Sequence, residues 1–318
     1  MRKKRISSEP VAVRTVPFSR KRFKVGLKAM GRPIRSLTLG EFFESLPHLQ
    51  SSNDLREVAQ RVGRAHRRHK PVIFAMGAHV IKCGLQPVIK DLIDHGIVTA
   101  LALNGAGVIH DFELAYGGGT SEWVEEGIKD GSFGMTRETG QILNSVAKQC
   151  LATGAGLGET IAEHLDESSY PYKEYSLLAA AHAMGIPVTV HVAIGCDTIH
   201  MHPQASGQAL GEGSLRDFRI FSHIVRTLGD GGVFFNIGSS VMMPEVFLKA
   251  VSLARNQGVR LRNFTTVNMD FLTHYRPLEN VLRRPHLRSG DAFNIVGAHE
   301  IMLPLMAAAI KVALKSRK

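Results

Sequence analysis

The chain has 318 residues, 44% of them hydrophobic, and a formal net charge of +11, a composition that indicates a globular rather than a disordered protein. No apolar run is long enough for a transmembrane helix, and no apolar segment follows the basic start as it would in a secretory signal. Three scattered cysteines, Cys83, Cys150 and Cys196, argue against a disulfide framework, so we expect a cytoplasmic protein.

The positive charge is concentrated at the start of the chain. Residues 1–32 contain eleven Lys or Arg and one acidic residue, Glu9, so the rest of the chain is almost neutral. We predict a flexible basic segment over residues 1–34 and one folded domain over residues 35–318. The basic segment leaves open a contact with RNA, with an anionic membrane or with another subunit, as well as a transit peptide, but the near-neutral body argues against a nucleic-acid-binding domain.

Apolar runs alternate with helical patterns along the rest of the chain. "PVIFAMG" (71–77) is a short apolar run closed by glycine, as in a buried parallel strand, and a helix over 86–96, a strand over 97–103 and a helix over 108–117 follow. The later pattern predicts helices at 176–185, 215–229, 244–258 and from Glu300, and strands at 186–195, 233–238, 263–270 and 293–299. This alternation predicts an α/β fold: a doubly wound, Rossmann-like, mostly parallel sheet with helices on both faces.

Glycine and polar residues follow three of these strands, where sheets of this kind bind ligands. The three groups are Asn104, Gly105, Ala106 and Gly107 with His110 and Asp111 one turn farther on; Gly238, Ser239 and Ser240; and the 195–202 segment with Cys196, Asp197, His200 and His202.

Neither the glycine turn nor the histidine-rich segment is specific by itself. The turn could offer backbone N–H groups to a phosphate at a helix start, but the dinucleotide fingerprint needs a third glycine where this chain has His110. It therefore leaves open a cofactor site and a plain strand-to-helix turn. Residues 191–202 leave open a metal site, polar contacts to an organic ligand and structural roles.

The segment "GAHVIKCGLQPVIKDLIDHGIVTALALNGAGVIHDFE" (77–113) resembles deoxyhypusine synthase. "GVFFNIGSSV", "NFTTVNMD" and "IVGAHEIMLPLMAAAI" match further landmarks of that family in the same order, and the resemblance, which spans roughly residues 35–318, is closer to its bacterial deoxyhypusine synthase-like branch. It implies a Rossmann-like fold, a homotetramer and NAD held near subunit interfaces. It also implies transfer of an aminobutyl group from spermidine to a lysine of a translation factor, whereas the related homospermidine synthase passes that group to a small amine.

The chain departs from the family at the residue that carries the aminobutyl group. The resemblance implies a lysine in a Trp-Gly-Lys context shortly before the last strand. Here no lysine occurs between Lys249 and Lys311, and the only tryptophan is Trp123, far upstream. Arginine cannot replace the lysine because its guanidinium stays protonated. The family's paired glutamates after the glycine turn are Ile109 and His110 here.

The remaining residues define the predicted site. We assign NAD binding to residues 104–107, 238–240 and Asp270, and catalytic roles to His110, Asp111, Asp197 and His200, although each aspartate could instead cap a helix or turn. The prediction is a metal-free, NAD-dependent transferase that oxidises a polyamine or related amine and passes the alkyl group to a small acceptor. The alternatives are a metal- or His-assisted enzyme acting on an amine or guanidino compound, and a non-catalytic assembly protein of the same fold.

Overall fold

A computed structural model describes Arg14 and residues 17–20, 27–36, 38–287 and 289–315. Most of the basic segment predicted over residues 1–34 lies outside the described residues. Within these ranges, no helix combines the length and the apolar character that crossing a membrane requires.

Six parallel strands form the central sheet, in the order β3-β2-β1-β4-β5-β6. The strands are β1 Val72–Met76, β2 Ala100–Asn104, β3 Val188–His191, β4 Val233–Ile237, β5 Thr265–Asp270 and β6 Asp291–Val296. They lie where the apolar runs predict them, but β2 begins three residues later than expected, β3 ends four residues earlier and β6 ends three residues earlier. The order and direction confirm the predicted doubly wound sheet.

Helices cover both faces of this sheet. The α-helices of the described residues are α1 Leu39–Ser45, α2 Gln50–Arg67, α3 His79–Lys82, α4 Gln86–Asp94, α5 Gly105–Gly117, α6 Val124–Asp130, α7 Arg137–Thr153, α8 Leu157–Glu167, α9 Leu177–Ala183, α10 Gly207–Val225, α11 Met242–Asn256 and α12 His299–Lys315. A π-helix, Pro277–Arg283, lies between β5 and β6, in the segment that departs from the family pattern.

The two hydrophobic clusters follow the alternation of side chains along each strand. In β1, Phe74 belongs to the cluster formed with α2, α4, α5 and α12, whereas its neighbour Ile73 belongs to the cluster formed with α10 and α11. On this second face, Phe247 of α11 stacks on Phe234 of β4 with the ring centroids 3.7 Å apart. Because both faces of β1 are buried, this strand is a continuous apolar run in the sequence.

Asp217 links its own helix, α10, to α8 and to β3. Its side chain is fully buried, and its Oδ2 accepts hydrogen bonds from the backbone N–H groups of Gly158 and Val190, both at 2.8 Å. A side chain at Gly156 would place its Cβ 1.9 Å from Asp217 Oδ1, so the start of α8 requires glycine there. Burial raises the pKa of Asp217 to about 7, against the opposing effect of these backbone donors.

We predict that Asp217→Asn flattens the dependence of stability on pH. The native pKa lies above the ordinary value of 3.8, so this carboxyl group favours folding below about pH 4 and loses that contribution as the pH rises towards 7. Asn retains an oxygen for both backbone donors but does not titrate. The free energy of unfolding, measured with urea, should fall between pH 4.5 and pH 8. This fall should be smaller by roughly 3 kcal/mol in the variant than in the wild type. The exposed control Asp94→Asn should keep the wild-type slope, and an unchanged slope in Asp217→Asn would contradict the assignment.

Candidate functional site

The sheet has its topological switch point between β1 and β4, because the strands on either side of this pair are added in opposite directions. In sheets of this kind the crevice outside the carboxyl ends at the switch point is the usual ligand site. The two strands end at Gly77 and Gly238. A Cβ on Gly77 would lie 2.1 Å from the carbonyl oxygen of Gly238, and Gly238 has a φ of +61°. Glycine is therefore required at both positions, where the two backbones meet.

Two histidines and a phenylalanine meet beside this glycine pair. His79 begins α3 just after β1, and His299 begins α12 just after β6. Their ring centroids are 5.3 Å apart, and the half-exposed ring of Phe271, which follows β5, lies 5.2 Å from His79 and 6.0 Å from His299. Both histidines were missed by the sequence reasoning, although the repeated tripeptide Gly-Ala-His after two predicted strands was a usable signal.

The partial desolvation of His79 by its neighbours is the main cause of its lowered pKa, and the nearby His299 and Lys82 lower it further. Its Nε2 lies 3.4 Å from the sulfur of Cys83. Burial, together with Glu300, raises the pKa of the Cys83 thiol. At neutral pH this corner of the crevice therefore holds a neutral imidazole beside a protonated thiol, rather than an ion pair.

The predicted residues Ser239, Ser240 and Asp270 lie at this same edge. Ser239 is buried, and its Oγ accepts a hydrogen bond from the N–H of Met243 at 3.1 Å. Asp270 is also buried, and one of its oxygens accepts a bond from the N–H of Phe271 at 2.8 Å. Ser240 is half-buried and immediately precedes Val241, the N-cap residue of α11, whose side chain cannot cap a helix. The start of α11 is thus capped on the crevice side by a single hydroxyl.

The start of α5 is different, because side chains of the chain itself occupy it. Asn104 Oδ1 accepts a hydrogen bond from the N–H of Gly107 at 3.0 Å, and the Asp197 carboxylate accepts one from the N–H of Ala106. A Cβ on Gly105 would lie 2.0 Å from Asp197 Oδ2. The predicted phosphate cradle at residues 104–107 is therefore filled by an internal carboxylate, and NAD could use it only if Asp197 moved away.

Asp197 and His200 lie close together, and His200 bonds to its own loop. His200 Nδ1 accepts hydrogen bonds from the N–H groups of Gly195 at 3.1 Å and Asp197 at 3.2 Å. His200 Nε2 is buried with no hydrogen-bond partner among the described residues and lies 3.8 Å from Asp197 Oδ2. Burial raises the pKa of Asp197, although His200 and the Ala106 N–H oppose that shift.

The other histidines of residues 191–202 point to separate partners. Burial lowers the pKa of His191 to about 3, and its Nε2 lies 3.1 Å from the hydroxyl of Thr189. His202 Nε2 lies 2.9 Å from the carbonyl oxygen of Gly134. Among the residues that the structure describes, no group of three or more His, Cys, Asp or Glu side chains is arranged to hold a metal ion.

Asp111 has the capping role that the sequence left open. Its buried carboxylate accepts hydrogen bonds from the Ser176 hydroxyl at 2.5 Å and from the N–H groups of Leu177 at 2.8 Å and Leu178 at 3.3 Å. Burial raises the pKa of Asp111 to about 6, although these donors oppose the shift. Because all of these bonds go to the start of α9, Asp111 is not part of the crevice between β1 and β4.

His110 lies on α5 beside a separate acidic cleft of about 330 Å³, which Glu113, Thr120 and Thr139 help to line. Its Nδ1 is 2.6 Å from the hydroxyl of Thr120, which donates to Glu113 at 2.5 Å. Burial raises the pKa of Glu113, but the hydrogen bonds from His110 and Thr120 outweigh it, so the pKa lies below its usual value. Sequence reasoning missed Glu113, although its position three residues after His110 on one helix face was informative.

The comparisons with known proteins establish the fold alone. No family model matches the chain, and no curated protein matches it significantly. The structure resembles ArgZ, an arginine dihydrolase of the ornithine–ammonia cycle in cyanobacteria, with a TM-score of 0.52 and 15% identity over 83% of this chain. It also resembles a mutant of AgrE in binary complex with L-arginine, with a TM-score of 0.52 and 14% identity over 84% of this chain.

This chain spans about a third of the length of either protein, 33% of ArgZ and 34% of AgrE. A protein assigned as a deoxyhypusine synthase from Entamoeba histolytica aligns over 86% of this chain and 93% of its own, with 11% identity and a TM-score of 0.48. Identities this low show the shared α/β architecture and carry no argument about activity.

We predict that Gly105→Ala destabilises the protein and that removing the Asp197 side chain relieves the effect. The added methyl group would overlap the carboxylate, since a separation of 2.0 Å is far below van der Waals contact. Urea unfolding should show a loss of about 1–3 kcal/mol for Gly105→Ala. The double variant Gly105→Ala/Asp197→Ala should be almost as stable as Asp197→Ala alone, because the added methyl group then no longer meets a carboxylate. Strict additivity of the two substitutions would show that Asp197 does not fill the start of α5.

Proposed function

We propose that this chain is an NAD-dependent enzyme that oxidises a polyamine or a related amine and passes the alkyl group to a small acceptor. The observation that carries the proposal is the switch point between β1 and β4, where Gly77 and Gly238 meet and the imidazoles of His79 and His299 lie beside them. The resemblance of residues 77–113 and of three later segments to the deoxyhypusine synthase family supports the same cofactor and substrate class.

One feature of this edge fits a dinucleotide. The helix α11, of 15 residues, begins beside the half-buried Ser240 without a side-chain cap at its N-cap position. Backbone N–H groups at the start of a helix favour phosphate oxygens, so residues 238–240 would hold the pyrophosphate. When bound, NAD supplies the hydride acceptor for amine oxidation.

Asp270 is the predicted acidic residue that remains available for a cationic substrate. Its carboxylate is 2% exposed at the carboxyl end of β5, and one oxygen lies 4.0 Å from His274 Nε2. Asp111 and Asp197, by contrast, are bonded to the starts of α9 and α5. A carboxylate in so dry a position stabilises an ammonium group more than a solvated one does.

We also propose that the chain assembles into a homotetramer. Several large apolar side chains near the carboxyl ends of β5 and β6 are exposed. They are Phe271, Leu272, Tyr275, Val296 and Ile301. Apolar surface of this kind is usually covered by a partner, and a second copy of the chain is the partner that the family resemblance implies.

We predict that wild-type protein binds NAD and that Ser240→Asp weakens the affinity at least about tenfold. A carboxylate at the start of α11 favours the helix but repels a pyrophosphate at the same place. Thr38→Asp, which adds the same charge to the N-cap of α1, is the matched control and should bind as wild type does. Isothermal titration calorimetry measures all three. Absence of NAD binding by the wild type would contradict the proposed function, and unchanged binding by Ser240→Asp would contradict this placement.

We predict further that no lysine of the enzyme carries the alkyl group. No lysine lies between Lys249 and Lys311, and Lys90 is held 2.7 Å from Asp94 on α4, so the exposed Lys82 is the nearest alternative along the chain. Transfer should therefore proceed directly from an imine to a free amine.

The test is incubation with NAD and labelled spermidine, reduction with borohydride, and peptide mass spectrometry. Label should appear only in small-molecule products. A labelled peptide containing Lys82 or any other lysine would overturn this prediction, and label that stays entirely in spermidine would count against a polyamine substrate.

A further inference from the structure

The tripeptide Gly-Ala-His occurs twice, each time directly after a strand of the sheet. Residues 77–79 follow β1, and residues 297–299 follow β6. Two strands, β4 and β5, separate β1 from β6, yet the turns bring the two imidazoles to a centroid separation of 5.3 Å. Two distant segments thus place a pair of titratable rings at the edge where we propose that ligands bind.

His299 is held in one tautomer and one orientation. Its ring is 1% exposed, and Nε2 lies 3.3 Å from the carbonyl oxygen of Met269, which can only accept, so Nε2 carries the hydrogen. The ring also fits against Gly238, where an added Cβ would come within 3.1 Å of it. Its Nδ1 is also buried, and that atom has no hydrogen-bond partner among the described residues. A buried polar atom without a partner is costly unless a ligand group reaches it when the site is in use.

His79 is the more accessible ring of the pair. The residue is exposed, and its Nε2 contacts the Cys83 sulfur at 3.4 Å. Phe271 lies against both imidazoles and excludes water from part of their surface.

We propose that His79 is the proton acceptor of the crevice and that His299 is its positioning residue, an inference that rests on the proposed amine substrate. An amine is an ammonium ion at neutral pH and must lose a proton before its carbon can release a hydride. In this step one N–H bond of the ammonium group breaks, and one N–H bond forms at the unprotonated ring nitrogen of His79. The products are a neutral amine and an imidazolium, and no electrons are transferred.

The charges around His79 favour this role at neutral pH. Partial desolvation lowers its pKa most, then His299 and Lys82, while Glu300 and Asp270 raise it and the Cys83 thiol contacts it directly. The net shift is downward, so the imidazole stays unprotonated until the pH falls below the ordinary histidine range. Activity should therefore persist at neutral pH and decline along an acidic limb as His79 is protonated.

Histidine-ring NMR tests the pair without any substrate. Titration of the ring Hε1 signal, assigned with His79→Gln, should give His79 a higher pKa in His299→Gln than in the wild type, because His299 lowers the pKa of His79. Gln can still donate an N–H to the Met269 carbonyl, so the fold should persist, as thermal melting by circular dichroism will show. His95→Gln, at the exposed end of α4, is the matched control and should leave the titration of His79 unchanged. An identical titration in wild type and His299→Gln would overturn the coupling.

Reduction of NAD by spermidine or putrescine, followed at about 340 nm across the pH range, tests the role of His79. His79→Gln should lower kcat at least about 100-fold and remove the acidic limb. His299→Gln should move that limb to higher pH with a smaller loss of kcat. Retention of the wild-type acidic limb by His79→Gln would overturn the proposal. If the wild type reduces no NAD with either amine, the proposed function fails, whereas the NMR result still decides whether the two rings are coupled.

Discussion

Close contact between the backbones of Gly77 and Gly238 is the constraint on which the candidate site depends. An added Cβ at Gly77 would come within 2.1 Å of the Gly238 carbonyl oxygen, so the ends of β1 and β4 can meet only as glycines. The chain then leaves these strands towards α3 and α11, at the edge where sheets of this kind bind ligands. The imidazoles of His79 and His299 and the start of α11 take their positions from this contact.

The starts of α5 and α11 occupy similar positions in the fold but differ in the side chains that bond to them. Both follow a parallel strand, and both offer N–H groups and a partial positive charge at the carboxyl edge of the sheet. Asp197 satisfies the start of α5 from within the chain, and that internal carboxylate would repel a bound phosphate. Only the serine hydroxyl of Ser239 caps the start of α11. We therefore propose that an external anion binds at the start of α11 rather than at the start of α5.

Local patterns account for what the sequence predicts well. Apolar runs bounded by glycine predict the strands, and their alternation with helices predicts the sheet and the edge where Gly238, Ser240 and Asp270 lie. The roles of Asp111 and Asp197 could not be predicted, because their partners are distant: Asp111 bonds to Ser176, 65 residues later, and Asp197 bonds back to Ala106. Whether a polar residue after a strand faces a ligand or caps a helix is decided by such tertiary contacts.

The pairing of His79 with His299 could be predicted only in part from the sequence. Neither histidine belongs to a motif that indicates a site. Only the repeated Gly-Ala-His tripeptide indicates that the two turns are similar. Their contact depends on the order of the strands, because β1 and β6 lie far apart in the sequence and are not neighbours in the sheet. Pattern reasoning predicts each turn separately but does not predict that the two rings meet.

The most direct test of the central claim is an experimental structure of the wild-type protein crystallised with NAD. We expect the pyrophosphate density at residues 238–240, beside the start of α11, with Asp197 still bonded to the N–H of Ala106. Density for the pyrophosphate at residues 104–107, with Asp197 displaced, would contradict the account.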